Sequence, residues 1–161
     1  MHLLLAAALL LNTQIIDRLA AVVAGQPITL SDVNAALELH LVDVPPNAPD
    51  RTAAALQKLI DRSLMLTEVD RFQPPEPDPS EIASRVTDLR QQAGSDAAFA
   101  RTLDVAAMTL DRLRRFIRDD LRIATYLNQR FGDAPQRAQA VAAWVDELRR
   151  RSEITVLYHR S

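Results

Sequence analysis

The chain has no cysteine, only three glycines and a single lysine, Lys58, and aromatic residues make up just 4% of its 161 positions. Without cysteine there are no disulfides, no thiol nucleophile and no cysteine-ligated zinc. Three scattered glycines, Gly25, Gly94 and Gly132, cannot build a phosphate or dinucleotide loop, which needs several within a few residues. With so few aromatics, the core must be built from leucine, isoleucine, valine and alanine. The formal net charge of −2 lacks the basic excess that marks a nucleic-acid-binding surface. The histidines, His2, His40 and His159, stand too far apart in sequence to show metal-ligand spacing. No G-x-S-x-G elbow supports a serine triad. No apolar run approaches the ~20 residues of a membrane-spanning helix.

What the chain does have is an ordinary globular balance, 48% hydrophobic and 25% charged. Its length suits one domain that folds without metal or disulfide. Leu3 to Leu11 is a continuous apolar run of the length of a secretory h-region. Residues 1–14 are therefore read as a signal peptide, and 15–161 as a single exported domain. No cysteine follows the run, so it is not a lipoprotein signal.

The densest information lies in Asp17 to Val33. Leu19 to Val23 has the composition of a buried strand, Gly25-Gln26-Pro27 is turn chemistry, and Ile28 to Leu30 reads as a short return strand. Ser31 is placed to cap a helix, with Asp32 at the positive end of its dipole. That helix is expected from Asp32 to about Val42, with Val33, Ala36, Leu37 and Leu41 on one face. The prolines of Asp43 to Pro49 end it.

A second helix, from near Asp50 to Phe72, carries one stripe at Leu56, Leu59, Ile60 and Leu64, and another at Met65, Val69 and Phe72. A helix apolar on two sides is expected at the centre of the molecule. Asp78-Pro79-Ser80-Glu81 is a capping box with proline at the first position, opening a third helix to about Ala93. Ser95 opens a fourth, with Phe99 and Leu103 inward. Thr109 caps a long fifth helix whose stripe is Leu110, Leu113, Ile117, Leu121, Ala124 and Leu127, ending at Phe131-Gly132. Asp133 to Gln136 introduces a sixth, with Val141, Trp144, Val145 and Leu148 inward. Ile154 to Tyr158 alternates as a strand. The expected fold class is mainly α: about six helices, with a small sheet made by the N-terminal hairpin and the C-terminal strand.

Few residues suggest chemistry. Asp119 and Asp120 are adjacent on a helix and diverge by ~100°, so they do not converge as an acid/base pair. Arg115, Arg118 and Arg122 lie at helical spacing from them, which reads as a solvated ion-paired face. Met65, Phe72, Phe99, Met108, Phe116 and Tyr126 are the large residues that single helix stripes explain least. They are candidates for a groove that binds extended or unfolded peptide, where methionine and aromatic side chains adapt to varied partners.

The order of these pieces resembles the SurA-like periplasmic chaperones. The resemblance runs from Asp17–Val33 through Leu56–Glu68, Asp78–Arg90 and Ser95–Tyr126 to Ala143–Ile154. It implies a periplasmic chaperone core that holds unfolded or extended polypeptide clients, in folding of envelope and outer-membrane proteins. One departure matters. Relatives commonly carry a parvulin prolyl-isomerase domain between the long helix and the closing helix. Here only Gly132-Asp133-Ala134 separate Phe131 from Pro135, so no catalytic residues carry over. The expectation is a non-catalytic protein with no cofactor, no nucleic-acid partner and no stable membrane span, for which a homodimer is allowed. The alternatives are a peptidyl-prolyl isomerase and an adaptor subunit with one fixed partner.

Overall fold

A computed structural model describes residues 17–133 and 135–159. The segment read as a signal peptide lies outside these described residues. The elements run β1 (Leu19–Val23), β2 (Gln26–Thr29), α1 (Leu30–Glu38), α2 (Arg51–Phe72), α3 (Pro79–Gln92), α4 (Asp96–Val105), α5 (Leu110–Phe131), α6 (Arg137–Arg151) and β3 (Ile154–Val156). The fold is mainly α, with a three-stranded antiparallel sheet in the order β2-β1-β3. The N-terminal strand is thus central, and the C-terminal strand closes onto it.

The hairpin turns earlier than Gly25-Gln26-Pro27 would place it. Ala24 and Gly25 both have positive φ, +48° and +79°. Such a two-residue turn follows the twist of the strands it joins. Gln26 and Pro27 therefore belong to β2, with Val22 opposite Pro27 and Val23 opposite Gln26. Bonding alternates along an antiparallel pair, so Pro27 falls where no ladder N–H is needed.

The cap of α1 is Thr29, not Ser31. Its Oγ1 accepts from Asp32 N (3.2 Å), while the Asp32 carboxylate accepts from Thr29 N (2.9 Å), which closes a capping box. The helix stops at Glu38, short of the expected Val42. His40 adopts a left-handed φ of +51°, Leu41 N donates to Ala36 O and His40 N to Leu37 O. These two bonds form the paired C-terminal closure usually built on glycine. Asp50, Asp78, Ser95 and Thr109 cap α2, α3, α4 and α5 as the sequence suggests. For α6, by contrast, Gln136 makes no side-chain capping bond.

Two apolar clusters form the interior. The larger joins β1, β2 and α1 to α2, the C-terminal half of α5, and α6, around Leu56, Ile60, Leu64, Val69, Trp144 and Leu148. The smaller lies between α1, α3, α4 and the N-terminal half of α5, around Val86, Phe99, Met108, Leu113 and Ile117. α5 serves both, which is why its expected stripe does not continue straight. Leu113 and Ile117 are buried in the first half. In the second half Arg122, Ile123 and Tyr126 are buried while Ala124 is exposed, because α2 and α6 approach from a different side than α3.

The closing strand is shorter than expected. Leu157 N and Tyr158 N both donate to the single carbonyl of Ala20, 2.8 and 3.0 Å away, at the irregularity between Leu19 and Ala21. The ladder ends there. Tyr158 Oη continues inward to Asp50 Oδ2 at 3.3 Å, tying the C-terminal segment to the start of α2.

Candidate functional site

An amphipathic groove of about 330 Å³ is bounded by β2, α1, α2 and the first half of α5. Its apolar lining includes Pro27, Ile28, Leu59, Leu66, Met108 and Phe116, and its charged lining is Asp32, Arg62, Arg112, Arg115 and Asp119. Each wall follows from local sequence. Leu59, Arg62, Ser63 and Leu66 recur at i, i+3, i+4 and i+7, so one face of α2 presents them together. Arg112, Arg115, Phe116 and Asp119 do the same on α5. Met108 enters because α4 ends in a left-handed residue, Ala107 (φ +47°), with Met108 N bonded back to Leu103 O.

The charges on the walls are unequally committed. Asp32 holds the capping box and also accepts from Arg112 Nη2 at 2.7 Å. Arg62 sits over Phe116, its Cζ 3.7 Å from the ring centre. It donates from Nε to Asp120 Oδ1 at 2.6 Å and from Nη2 to the Phe116 carbonyl at 2.9 Å, with Asp119 at 3.8 Å. A guanidinium held this way is an immobile wall, combining cation–π and hydrogen-bond restraint. Arg115, on the groove rim, is exposed and has no ion-pair partner among the described residues.

The arginine face of α5 is not the purely solvated one the sequence suggested. Arg122 is 8% exposed. It reaches Asp70 at 2.9 Å and Glu76 at 3.3 Å, yet its buried Nε makes no hydrogen bond of good geometry. Asp120 pairs across to Arg62 of α2 instead of along α5. A buried guanidinium with one unsatisfied donor is costly, and its aliphatic stem supplies much of its packing. Arg122→Met is therefore expected to keep the unfolding free energy within about 1 kcal/mol of the parent, or raise it, whereas Arg122→Ala should lower it by about 2 kcal/mol. Urea unfolding of the two variants checks this.

Burial raises the Asp120 pKa above the ordinary aspartate range; Arg62 opposes the rise through charge and hydrogen bond, and Asp119 adds to it. The side chain is 44% exposed, so solvent screening keeps the effect small. A carboxyl raised on folding contributes stability that is full below its unfolded pKa and is lost as pH rises through the folded value. The stability of the parent relative to Asp120→Asn should thus fall as pH climbs through the acid range, then level off. A difference that grows with pH, measured by unfolding at a series of pH values, would contradict this.

The six residues singled out from the sequence do not share one groove. Met108 and Phe116 line the site just described. Met65 lines an adjoining open groove, on the other side of Arg62, with Leu41, Val42, Ile123 and Leu127. Phe72 and Tyr126 meet elsewhere, with ring centres 5.3 Å apart, at the end of an aromatic row that continues through Trp144 to Phe131. Phe99 is buried in the smaller cluster, and Tyr126 in the larger. Sequence reading missed Pro27, Ile28, Leu66 and the ionic wall. The i, i+3, i+7 recurrence of Arg112, Arg115 and Asp119 beside Phe116 was the available signal.

No protein-family model matches the chain, and no curated protein matches it. Among the described residues, no group of three or more histidine, aspartate and glutamate side chains is placed to hold a metal ion, and no helix is long and apolar enough to cross a membrane. The groove's one serine hydroxyl, on Ser63, has no histidine among the lining residues. The arrangement suits binding of a chain with apolar and charged character.

Proposed function

We propose that the protein is an exported, non-catalytic, chaperone-like factor that holds unfolded or extended polypeptide, with the α2–α5–β2 groove as its binding site. The observation that carries this is the pairing of an apolar floor, from Ile28, Leu59, Leu66, Met108 and Phe116, with a rim bearing Arg115, which has no ion-pair partner among the described residues. An open groove of this kind takes side chains of varied shape while a mobile cation engages acidic or carbonyl groups beside them. The order of sequence segments that resembles SurA-like chaperones supports the same reading, as does the apolar Leu3–Leu11 run for export to the periplasm. Clients would be polypeptides of the envelope and outer membrane.

The test is suppression of aggregation. Purified mature protein should slow light scattering by an unfolded outer-membrane client in a dose-dependent way. No suppression at severalfold molar excess overturns the proposal. A protease-coupled prolyl-isomerase assay run in parallel should show no acceleration; clear acceleration would favour the isomerase alternative.

A further inference from the structure

We infer that two copies of this chain associate through antiparallel pairing of β3 with β3 of the second copy, joining their sheets into one of six strands. This stands independently of the peptide-binding groove. The sheet has two outer edges, and they are built differently. The outer edge of β2 carries Pro27, which cannot donate a hydrogen bond, a common means of blunting a strand edge. The outer edge of β3 has no such guard. Ile154-Thr155-Val156 contains neither proline nor a charged residue, and among the described residues β3 pairs with β1 alone.

The bonding register shows which groups are free. Ala24 N donates to Glu153 O and Leu157 N to Ala20 O, and Thr155 stands opposite Val22. Residues 153, 155 and 157 thus spend their main-chain groups on β1. By the alternation of antiparallel ladders, the N–H and C=O of Ile154 and Val156 point outward. The same corner gathers Leu19, Val156 and Leu157, which are 41%, 42% and 43% exposed, three of the five exposed large hydrophobic residues among those described.

A second copy fits this edge by symmetry. A two-fold axis at Thr155 sets Ile154 opposite Val156 of the other copy, and Val156 opposite its Ile154. These are two bonded pairs, supplying about four main-chain hydrogen bonds. The axis sets Glu153 of each copy opposite Leu157 of the other, away from the second Glu153. Parallel in-register pairing would instead set Glu153 beside Glu153. Charge therefore favours the antiparallel self-pairing, and the interface is isologous and closed, so it stops at two copies.

The absence of cysteine in the chain makes the test specific. At the two-fold, Thr155 faces Thr155 of the second copy as a non-bonded pair, Cα atoms about 4.5 Å apart, inside the range a disulfide bridges. Thr155→Cys should form a disulfide-linked dimer under mild oxidation. Leu157→Cys, equally exposed but displaced from the axis, should not. The parent should sediment as a concentration-dependent dimer. Val156→Pro removes only an outward N–H and should abolish the dimer while keeping the far-ultraviolet spectrum. A parent that stays monomeric at high micromolar concentration overturns the inference, including the case in which β3 captures a client strand instead. So does equal cross-linking at positions 155 and 157, or a dimer that Thr155→Cys fails to lock.

Discussion

Replacing Trp144 with alanine is expected to lower the unfolding free energy by about 3–5 kcal/mol. Of the total of about 5–15 kcal/mol typical for a domain, this is a large share. Trp144 is 8% exposed and is the junction of the aromatic row, with ring centres 5.7 Å from Tyr126 and 5.7 Å from Phe131. Such tilted contacts contribute about 0.5–1.5 kcal/mol each beyond the area they bury. Arg130 adds a guanidinium 5.4 Å above the indole. The position matters more because α6 has no side-chain cap at its start. Trp144 holds it to α5, while Arg149 reaches Asp61 Oδ1 at 2.6 Å and Gln57 Oε1 at 2.9 Å, and Arg151 reaches Glu68 at 2.8 Å, on α2. Losing the indole should therefore also loosen β3, which follows α6 directly. Urea unfolding followed by far-ultraviolet dichroism measures the change, since Trp144 is the only tryptophan and its fluorescence goes with it. A loss under about 1 kcal/mol would mean that α6 is anchored by other contacts.

The second large effect is on binding. Ser63→Trp should weaken client binding at least tenfold, about 1.4 kcal/mol. Ser63 sits on the α2 wall of the groove, half-buried between Leu59 and Leu66. An indole there fills the space an apolar client side chain would enter. The fold should tolerate it, because the groove opens to solvent and the Ser63 carbonyl keeps its bond from Thr67 Oγ1 at 3.0 Å. Ser63→Ala should bind as the parent does, which separates occlusion from loss of the hydroxyl. Anisotropy of a labelled unfolded peptide reads the binding, and thermal unfolding confirms that the variant is folded. Binding unchanged in Ser63→Trp would move the site elsewhere on the molecule.

The fold was legible in the sequence where local chemistry decides it. The caps at Asp50, Asp78, Ser95 and Thr109 and the stripe of α2 follow from single residues and 3.6-residue spacing. The meeting of β1 and β3 could be read because an isolated strand pair needs a partner. Local rules failed where two residues compete for one role. Thr29 and Ser31 can both cap, and Thr29 wins because Asp32 lies three residues on and returns the bond. The stops at His40 and Ala107 were hidden because left-handed backbone is usually assigned to glycine. The groove was half legible. Met108 and Phe116 stood out as ill-fitting apolar residues and line the groove, Met108 from within the smaller cluster, but Tyr126 and Phe99 stood out for the same reason and belong to the core alone. The ionic wall was misassigned because Arg62, 58 positions before Asp120, is a partner that helical spacing on α5 cannot reveal.

The most direct test of the groove as a polypeptide-binding site uses a photoreactive leucine analogue. Placed at Leu66, inside the groove, it should cross-link an unfolded outer-membrane client on illumination. Placed at Val105, which is 71% exposed on α4 and so samples general stickiness, it should not. Cross-linking at Leu66 alone is the expected result. Cross-linking at Val105 to the same extent, or at neither position while the client stays bound, would contradict the assignment.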